Sequence, residues 1–222
     1  MVRIFLEIKL LIILFTVKEV EFTEKQTERE NMEESDALRM LEQLKVKAEN
    51  CTKCPLSATR RSVVFGEGGV ELRIMMIGEA PGREEDAQGR PFVGRAGRLL
   101  DELLRNIGVD RGSLYITNVV KCRPPGNRPP RKSEIEACKE YLLGQLEAVK
   151  PRLVVLLGSV ALRALLGEDY AVTSDRGNPL ARGKLVFLPT LHPASALYNP
   201  KNKKLLEEDM RKFRDLLDKL KQ

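Results

Sequence analysis

The chain has 222 residues, of which 42% are hydrophobic and 32% charged, a composition typical of a soluble globular domain with a full core. Its longest apolar run, residues 10–15, is far shorter than the roughly 20 residues that a membrane-spanning helix needs, which argues against an integral membrane protein. The formal net charge is +6, but residues 1–36 are acidic, so residues 37–222 carry +10. A basic body favours a polyanionic partner, nucleic acid first; a solvated basic surface of a heat-adapted protein is the alternative.

Residues 1–36 are predicted to be an N-terminal extension that the domain at 37–222 does not need. The apolar run is followed by Lys18 and Glu19 and not by the small residues of a signal-peptide cleavage site. Met32 is an alternative start. A helix packed on the body, or a membrane-associated segment, are the other interpretations.

Beyond the extension, hydrophobic periodicity predicts helices that alternate with apolar strands. The predicted helices cover 37–48, 95–107, 133–149, 159–166 and 202–220, and the predicted strands cover 73–77, 114–120, 153–157 and 185–188. Ser133 and Glu136 are predicted to form a capping box at the start of the third helix. This order predicts one α/β domain, a three-layer α/β/α arrangement with a central, largely parallel sheet.

The stretch 78–101, GEAPGREEDAQGRPFVGRAGRLLD, lies between an apolar strand and a helix. Its glycines let backbone amides approach a ligand, and its carboxylates can accept hydrogen bonds or polarise water. Loops that follow strands of an open α/β sheet are the usual place for a site. The sequence therefore predicts a ligand-binding loop here.

All four cysteines of the chain, Cys51, Cys54, Cys122 and Cys138, follow the pattern C-x2-C…C-x15-C. Four thiolates without a histidine suit a 4Fe–4S cluster. Zinc is the first alternative, although zinc sites more often show two close pairs. Two disulfides, or buried unlinked thiols, are the remaining alternatives. A cluster here is predicted to be structural, tying the N-terminal loop to the middle of the chain.

Two further segments carry candidate functional residues. The loop 119–132, VVKCRPPGNRPPRK, holds cations and no acid, and its prolines keep it extended, which suits a phosphate backbone. The alternative is a rigid loop that only presents Cys122. The single histidine, His192, follows a strand and invites a catalytic role, with a turn histidine as the alternative. Ser195 could join it in a Ser–His–Asp triad, although no nucleophile-elbow sequence is present.

Taken together, these motifs resemble the family 4 uracil-DNA glycosylases, the thermostable iron–sulfur type of bacteria and archaea. The resemblance begins near residue 37 and continues to the C-terminus. It is carried by the four cysteines in order and by GEAPG at 78–82, GRPFVGRAG at 89–97, ITNVVKCRPPGNRPP at 116–130 and LHPAS at 191–195. It implies the fold of the uracil-DNA glycosylases, a 4Fe–4S cluster, and an enzyme of base excision repair that excises uracil and leaves an abasic site.

The resemblance also implies roles for individual residues. Phe92 is expected to stack on a flipped uracil. Asn118 is expected to read the uracil edge, because its amide matches N3–H and O4. Backbone amides near Gly78, Glu79 and Ala80 are expected to contact the base. His192 is expected to bind O2 and stabilise the departing anion, since a donor aimed at developing charge assists bond breaking.

Other implied roles concern water and DNA. Glu79 or Glu85 is expected to stabilise the oxocarbenium-like sugar or to orient water. The best-known uracil glycosylases carry an aspartate where this chain has Ala80, which predicts weaker or different water activation. The relatives that cross-link to DNA use a histidine in a longer basic loop; this loop has none, so turnover is predicted. Weaker candidates, for DNA-backbone contact, are Lys121, Arg123, Arg128 and Arg131.

The expected partner is uracil-containing DNA, single- or double-stranded, bound by a monomer without a membrane in the prokaryotic cytoplasm at the nucleoid; a sliding-clamp partner stays open. Two other functions stay open as well. One is a non-catalytic iron–sulfur module that binds damaged DNA, and the other is a zinc-dependent nucleotide-processing protein.

Overall fold

The computed structural model describes residues 32–220. Most of the predicted extension, 1–31, lies outside these residues. Helix α1 covers 32–49, so residues 32–36 continue into the helix predicted at 37–48. The first core residues of α1 are Ala37 and Leu41. The domain boundary between 36 and 37 therefore stays a prediction.

A single five-stranded sheet forms the centre of the domain. Its strands are β1 (Ile74–Gly78), β2 (Tyr115–Asn118), β3 (Leu153–Leu157), β4 (Leu180–Arg182) and β5 (Leu185–Thr190). They are ordered β2-β1-β3-β5-β4, and every pairing is parallel except that of β4 with β5. The prediction of a largely parallel sheet is confirmed. The short edge strand β4 was not predicted, because three residues with little burial leave no periodic pattern.

Helices cover both faces of the sheet. After α1 come α2 (Arg83–Gln88), α3 (Arg95–Asn106), α4 (Lys132–Val149), α5 (Ser159–Leu166), α6 (Val172–Asp175), α7 (Ala194–Tyr198) and α8 (Lys201–Leu220). Alternate residues of β1 enter two separate cores: Ile74 and Met76 pack with α3 and α8, while Met75 and Ile77 pack with α1, α4 and α5. Burial on both faces explains why the strands are apolar throughout, and it gives the predicted three layers.

The start of α4 differs from the prediction. The helix begins at Lys132 after Arg131 in an extended conformation, and its third residue is Glu134, whose Oε2 accepts the N–H of Arg131 at 2.7 Å. The capping box predicted for Ser133 and Glu136 is therefore wrong. The proline pair before Arg131 holds the chain extended up to that residue, which places the cap two positions earlier.

Across residues 32–220, no helix combines the length and the apolar character needed to cross a bilayer.

Candidate active site

A pocket of about 670 Å³ opens beyond the carboxyl ends of β1, β2 and β5. Strands β2 and β3 lie on opposite sides of β1, so the chain changes direction there, and open α/β sheets bind ligands at such a switch point. Its walls include six residues predicted for the site: Glu79, Ala80, Glu85, Phe92, Asn118 and His192. The fold thus brings together residues that lie up to 113 positions apart in the sequence.

Gly78, predicted to contact the base, lies behind the wall of the pocket. It pairs directly with Asn118 in the parallel register of β1 and β2. A Cβ atom added at Gly78 lies 2.5 Å from Asn118 Oδ1 and 2.5 Å from Phe92 Cζ. The absence of a side chain at this position is therefore what allows both neighbours to converge on the pocket.

Asn118 is the last residue of β2 and is 2% exposed. Its Oδ1 is buried and accepts no hydrogen bond from any residue in 32–220. A buried acceptor without a partner costs about 1–3 kcal/mol, so such an atom in a pocket wall indicates a ligand with a matching donor. Since Asn118 also carries a donor, the matching group presents a donor beside an acceptor.

Phe92 forms a second wall in a conformation that its neighbours impose. Its φ of 51° lies in the left-handed region, which is uncommon for an aromatic residue. Arg111 donates to the carbonyl oxygens of Pro91 at 2.7 Å and Phe92 at 3.3 Å. Strained backbone that its surroundings hold in place is typical of ligand sites.

The helix that follows this loop also holds Phe92. A Cβ atom built on Gly97 of α3 lies 1.9 Å from the Phe92 carbonyl oxygen, so only a glycine permits this close approach.

His192 packs against Phe92, with ring centroids 5.6 Å apart and an interplanar angle of 28°. Its Nδ1 accepts the N–H of Ala194 at 3.2 Å, so in the neutral ring the proton is on Nε2. Burial lowers its pKa to about 4, and the negative charge of Glu85 opposes this shift. The ring is thus neutral at physiological pH and presents an Nε2–H donor.

No serine nucleophile accompanies this histidine. The Ser195 backbone N–H donates to the His192 carbonyl, while its Oγ is buried without a hydrogen-bond partner among residues 32–220. The side-chain pair that a Ser–His–Asp triad requires is therefore not formed in the described part of the chain.

The two candidate carboxylates differ in their surroundings. Glu85 Oε1 accepts the N–H groups of Val93 and Gly94 at 3.0 and 2.8 Å, and Oε2 accepts that of Gly82 at 3.1 Å. Glu85 thus holds the loop that carries Phe92. Glu79 is half-buried in the pocket wall, and burial raises its pKa above the usual range. Of the two, Glu79 has the carboxylate that is not engaged in holding the loop.

Lys121 was predicted to contact the DNA backbone, and this prediction is wrong. The side chain is 1% exposed. Its Nζ lies 2.6–2.7 Å from the oxygens of Thr117, Asn118 and Gln145. Burial lowers its pKa below the usual value, while the nearby Cys138 and Cys122 raise it. Charge and spacing in the loop could not reveal that this lysine turns inward.

The three arginines predicted with Lys121 lie nearer the surface. Arg123 and Arg128 line the pocket. Arg123 donates to Asn127 Oδ1, and both Nη atoms of Arg128 donate to Glu134, at 2.8 and 2.6 Å. Arg131 is exposed at the start of α4. The basic loop thus forms a rim beside the pocket mouth.

The four cysteines belong to the same core of the domain. Cys122 and Cys138 are buried, Cys51 and Cys54 are packed against the same core, and no pair forms a disulfide. Burial raises the pKa of Cys122, and raises that of Cys138 to about 11. The Arg60 guanidinium donates to Cys122 Sγ, and the Lys121 N–H donates to Cys138 Sγ, both at 3.3 Å. Such donors stabilise sulfur that carries negative charge.

Side chains in residues 32–220 form no group of three or more His, Cys, Asp or Glu that could hold one metal ion. A zinc ion draws its thiolates to about 2.3 Å from one point, whereas each thiolate of a 4Fe–4S cluster binds a different iron atom. The four candidate donors are all thiols, a set that fits a 4Fe–4S cluster and also a zinc site with four cysteines.

The sequence analysis did not single out Arg111, which lies outside the pocket lining, or Tyr198, which is part of that lining. Arg111 binds the Phe92 loop from a 3₁₀ turn 19 positions away, and local sequence patterns cannot predict a contact over that separation. Tyr198 lines the pocket at the end of α7 and is 88% exposed. An aromatic residue near His192 was visible in the sequence, but its exposure was not.

Comparison with known proteins agrees with this architecture. The model of the uracil DNA glycosylase superfamily matches residues 65–218. A type-4 uracil-DNA glycosylase of Thermotoga maritima is 45% identical over 185 residues, 81% of this chain and 96% of that protein. One of Sulfurisphaera tokodaii is 44% identical over 185 residues, 79% and 84% of the two chains. One of Archaeoglobus fulgidus is 40% identical over 178 residues, 77% and 89%.

The chain has an α/β fold with a pocket at the carboxyl edge of its sheet, and the match to the uracil DNA glycosylase superfamily covers most of this domain. The chain belongs to the uracil-DNA glycosylase superfamily and, within it, to the type-4 family. The family expected from the sequence motifs is thereby confirmed.

Proposed function

We propose that this protein is a monofunctional DNA repair glycosylase that flips uracil out of DNA and hydrolyses its N-glycosidic bond, leaving an abasic site. The observation that carries the proposal is the unpartnered, buried Oδ1 of Asn118 in a pocket walled by Phe92 and His192. Its relatives of the type-4 family are named for the same activity.

Base selection rests on Asn118 and Phe92. The N3–H of a flipped uracil donates to Asn118 Oδ1, and O4 accepts from the side-chain amide, while cytosine presents the opposite pattern at both positions. Phe92, 5% exposed and fixed by the loop, offers a ring face for stacking. The small side chain of Ala80 in the pocket wall leaves room for the base beside the backbone.

Bond breaking rests on His192. As the C1′–N1 bond breaks, its electron pair passes to the base as negative charge on N1 and O2. A neutral Nε2–H aimed at O2 stabilises that charge as it develops. Because Ala194 fixes the tautomer, the donor is in place before reaction and needs no proton uptake from solvent.

Water then adds through its oxygen to C1′ of the oxocarbenium-like sugar and loses a proton, and the uracil anion gains one, giving an abasic site and free uracil. Glu79 is the better candidate to stabilise the cation or orient this water, because its carboxylate lines the pocket and Glu85 already binds three backbone N–H groups. Glu85 is proposed to position the Phe92 loop.

The four cysteines are proposed to hold a 4Fe–4S cluster. When bound, the cluster supplies a structural cross-link and no step of the hydrolysis. Cys51 and Cys54 follow α1, Cys122 follows β2, and Cys138 lies in α4, so the cross-link joins three parts of the domain. A brown protein with four iron atoms supports the cluster, while a colourless protein with one zinc ion contradicts it.

DNA is proposed to lie across the basic rim of Arg123, Arg128 and Arg131, with single or double strands as substrate and the protein acting as a monomer on the prokaryotic chromosome. Residues 37–222 are proposed to suffice, and 1–36 to be dispensable. A truncated chain starting at 37 should then keep the full activity.

The test is incubation with oligonucleotides that contain uracil opposite adenine, opposite guanine or in a single strand, with thymine-containing controls. Alkali-labile sites are expected only at uracil. Asn118→Ala and His192→Ala are expected to lose activity while keeping the circular dichroism spectrum and melting temperature of the wild type. Binding without any strand cleavage after alkali would instead indicate a non-catalytic damage-binding module.

A further inference from the structure

A lysine side chain lies fully inside the domain, between the pocket and the cysteines. Lys121 is 1% exposed, and its Nζ lies 2.7 Å from Thr117 Oγ1, 2.6 Å from the Asn118 carbonyl and 2.6 Å from Gln145 Oε1. Three oxygen acceptors match the three N–H groups of an ammonium ion. Each N–H group of the buried ammonium therefore has a hydrogen-bond acceptor. The same hydrogen bonds hold the three acceptor groups in position.

The acceptors belong to a larger buried network. Thr117 Oγ1 also donates to the Phe65 carbonyl at 2.7 Å. The Gln145 side-chain amide donates to the same carbonyl at 2.8 Å and to Tyr115 Oη at 3.1 Å. This network ties β2 to α4 and to the segment before β1.

The same stretch of backbone serves both sites. Asn118, whose side chain faces the pocket, and Cys122 are four residues apart, with Lys121 between them. The Lys121 backbone N–H donates to Cys138 Sγ, while its side chain holds the Asn118 carbonyl. Lys121 therefore contacts Asn118 at the pocket and Cys138 of the cysteine site.

We propose that Lys121 is a positioning residue: its ammonium fixes the backbone of Asn118 so that the side-chain amide of Asn118 keeps the orientation that reads uracil. The proposal rests on the proposed function. It assigns Lys121 no contact with the base, the sugar or water. Its effect on catalysis is indirect, through the residue that it holds.

The physical reason is that the side-chain oxygen of Asn118 has no hydrogen bond of its own within the described residues, although its backbone is paired in β2. The orientation of the Asn118 amide therefore depends on the backbone that carries it. Replacing Lys121 by an apolar residue removes the donor that these three buried oxygens share, and the segment relaxes to recover hydrogen bonds. A shift of even a fraction of an ångström at Asn118 weakens a two-point hydrogen-bond match.

The test compares Lys121→Met with Tyr115→Phe in the full chain. Tyr115→Phe removes one hydrogen bond of the same network but leaves all three partners of Lys121. For each protein, kcat and KM on a uracil oligonucleotide, the inhibition constant of free uracil, the iron content and the melting temperature are measured. Thr117→Val, which removes one partner of Lys121, is a second, milder variant.

Lys121→Met is expected to bind free uracil about 10- to 100-fold more weakly than the wild type, the range for losing a charge-assisted hydrogen bond, with KM raised and iron content unchanged. Thr117→Val is expected to show a smaller loss, and Tyr115→Phe none. If Lys121→Met does not fold, the result for Thr117→Val decides.

The inference is overturned if Lys121→Met binds free uracil as tightly as Tyr115→Phe does. If Lys121→Met does not fold, the same comparison is made with Thr117→Val. Loss of uracil binding in step with loss of iron also overturns it, since the lysine then serves the cysteine site alone. A wild-type protein that releases no uracil from DNA refutes the proposed function itself, so the two failures are told apart.

Discussion

At the scale of single residues, the site depends on how closely Gly78, Asn118 and Phe92 approach one another. Gly78→Ala places a methyl group 2.5 Å from both neighbours, so at least one of them must move. We expect kcat/KM on uracil DNA to fall about 100-fold, the typical cost of a small misplacement of a binding group, with little change in melting temperature.

Gly183→Ala is the control for this substitution, because an added methyl group there meets no atom within 4 Å. It should cost some stability, since Gly183 has a φ of +60°, but should leave kcat/KM unchanged. Equal activity in the two variants would contradict the account of Gly78.

His192 is the only histidine in the chain, so its ring signals in an NMR titration are unambiguous. Burial lowers its pKa to about 4, below the usual value near 6.5. We expect the ring nitrogens to report a neutral Nε2–H tautomer from pH 5 to 8, and no inflection of activity near pH 6.5. A titration near that pH, or an Nδ1–H tautomer, would be inconsistent with the neutral donor.

At the scale of elements, Glu134 joins α4 to the basic loop. It is 1% exposed and binds the Arg128 guanidinium and the Arg131 N–H. Hydrogen bonds from Arg128 lower its pKa below the usual range. Its contribution to stability is therefore present above the unfolded pKa of about 4.3 and is lost as the pH falls through the lower folded value.

Glu134→Gln is expected to lower the free energy of unfolding by about 1–3 kcal/mol at neutral pH, because a charged partner is lost at a buried site. The loss should shrink as the pH falls, since the wild-type carboxylate is then protonated. Urea denaturation at several pH values measures the free energy of unfolding of both proteins and how their difference changes with pH. Glu140→Gln on the same helix, whose exposed carboxylate pairs with Lys53, is the control and should change stability little.

The elements that the sequence predicted best are those with a long apolar pattern. Strand β3 and helix α5 have the predicted bounds, since their burial requires an unbroken apolar run or a helical period. Helix α2 was missed because REEDAQ has no apolar face. The cap of α4 was misplaced because the proline pair before Arg131 puts the N-cap of the helix two residues before Ser133. Local patterns could not predict the contacts of Arg111 or Lys121, which bridge distant segments.

At the scale of the whole molecule, the basic rim should govern how affinity for DNA depends on salt. Each phosphate contact adds about one unit to the slope of log K against log salt. Arg123→Gln and Arg131→Gln are each expected to lower that slope by about one, measured by fluorescence anisotropy with a double-stranded oligonucleotide.

The matched control is Lys184→Gln, because Lys184 lies in the turn between β4 and β5, at the opposite end of the sheet from the pocket. For Lys184→Gln, the slope of log K against log salt should equal that of the wild type. The same decrease in all three variants would mean that DNA contacts the protein without preference for the rim.

The central claim is that the pocket breaks the bond between uracil and DNA. The most direct measurement is the release of free uracil from labelled DNA under single-turnover conditions, quantified by chromatography, for the wild type and His192→Ala. We predict one equivalent of uracil per site from the wild type, no cytosine or thymine, and a rate lower by about two to three orders of magnitude in His192→Ala. Tight binding of uracil-containing DNA without any free uracil would contradict the account.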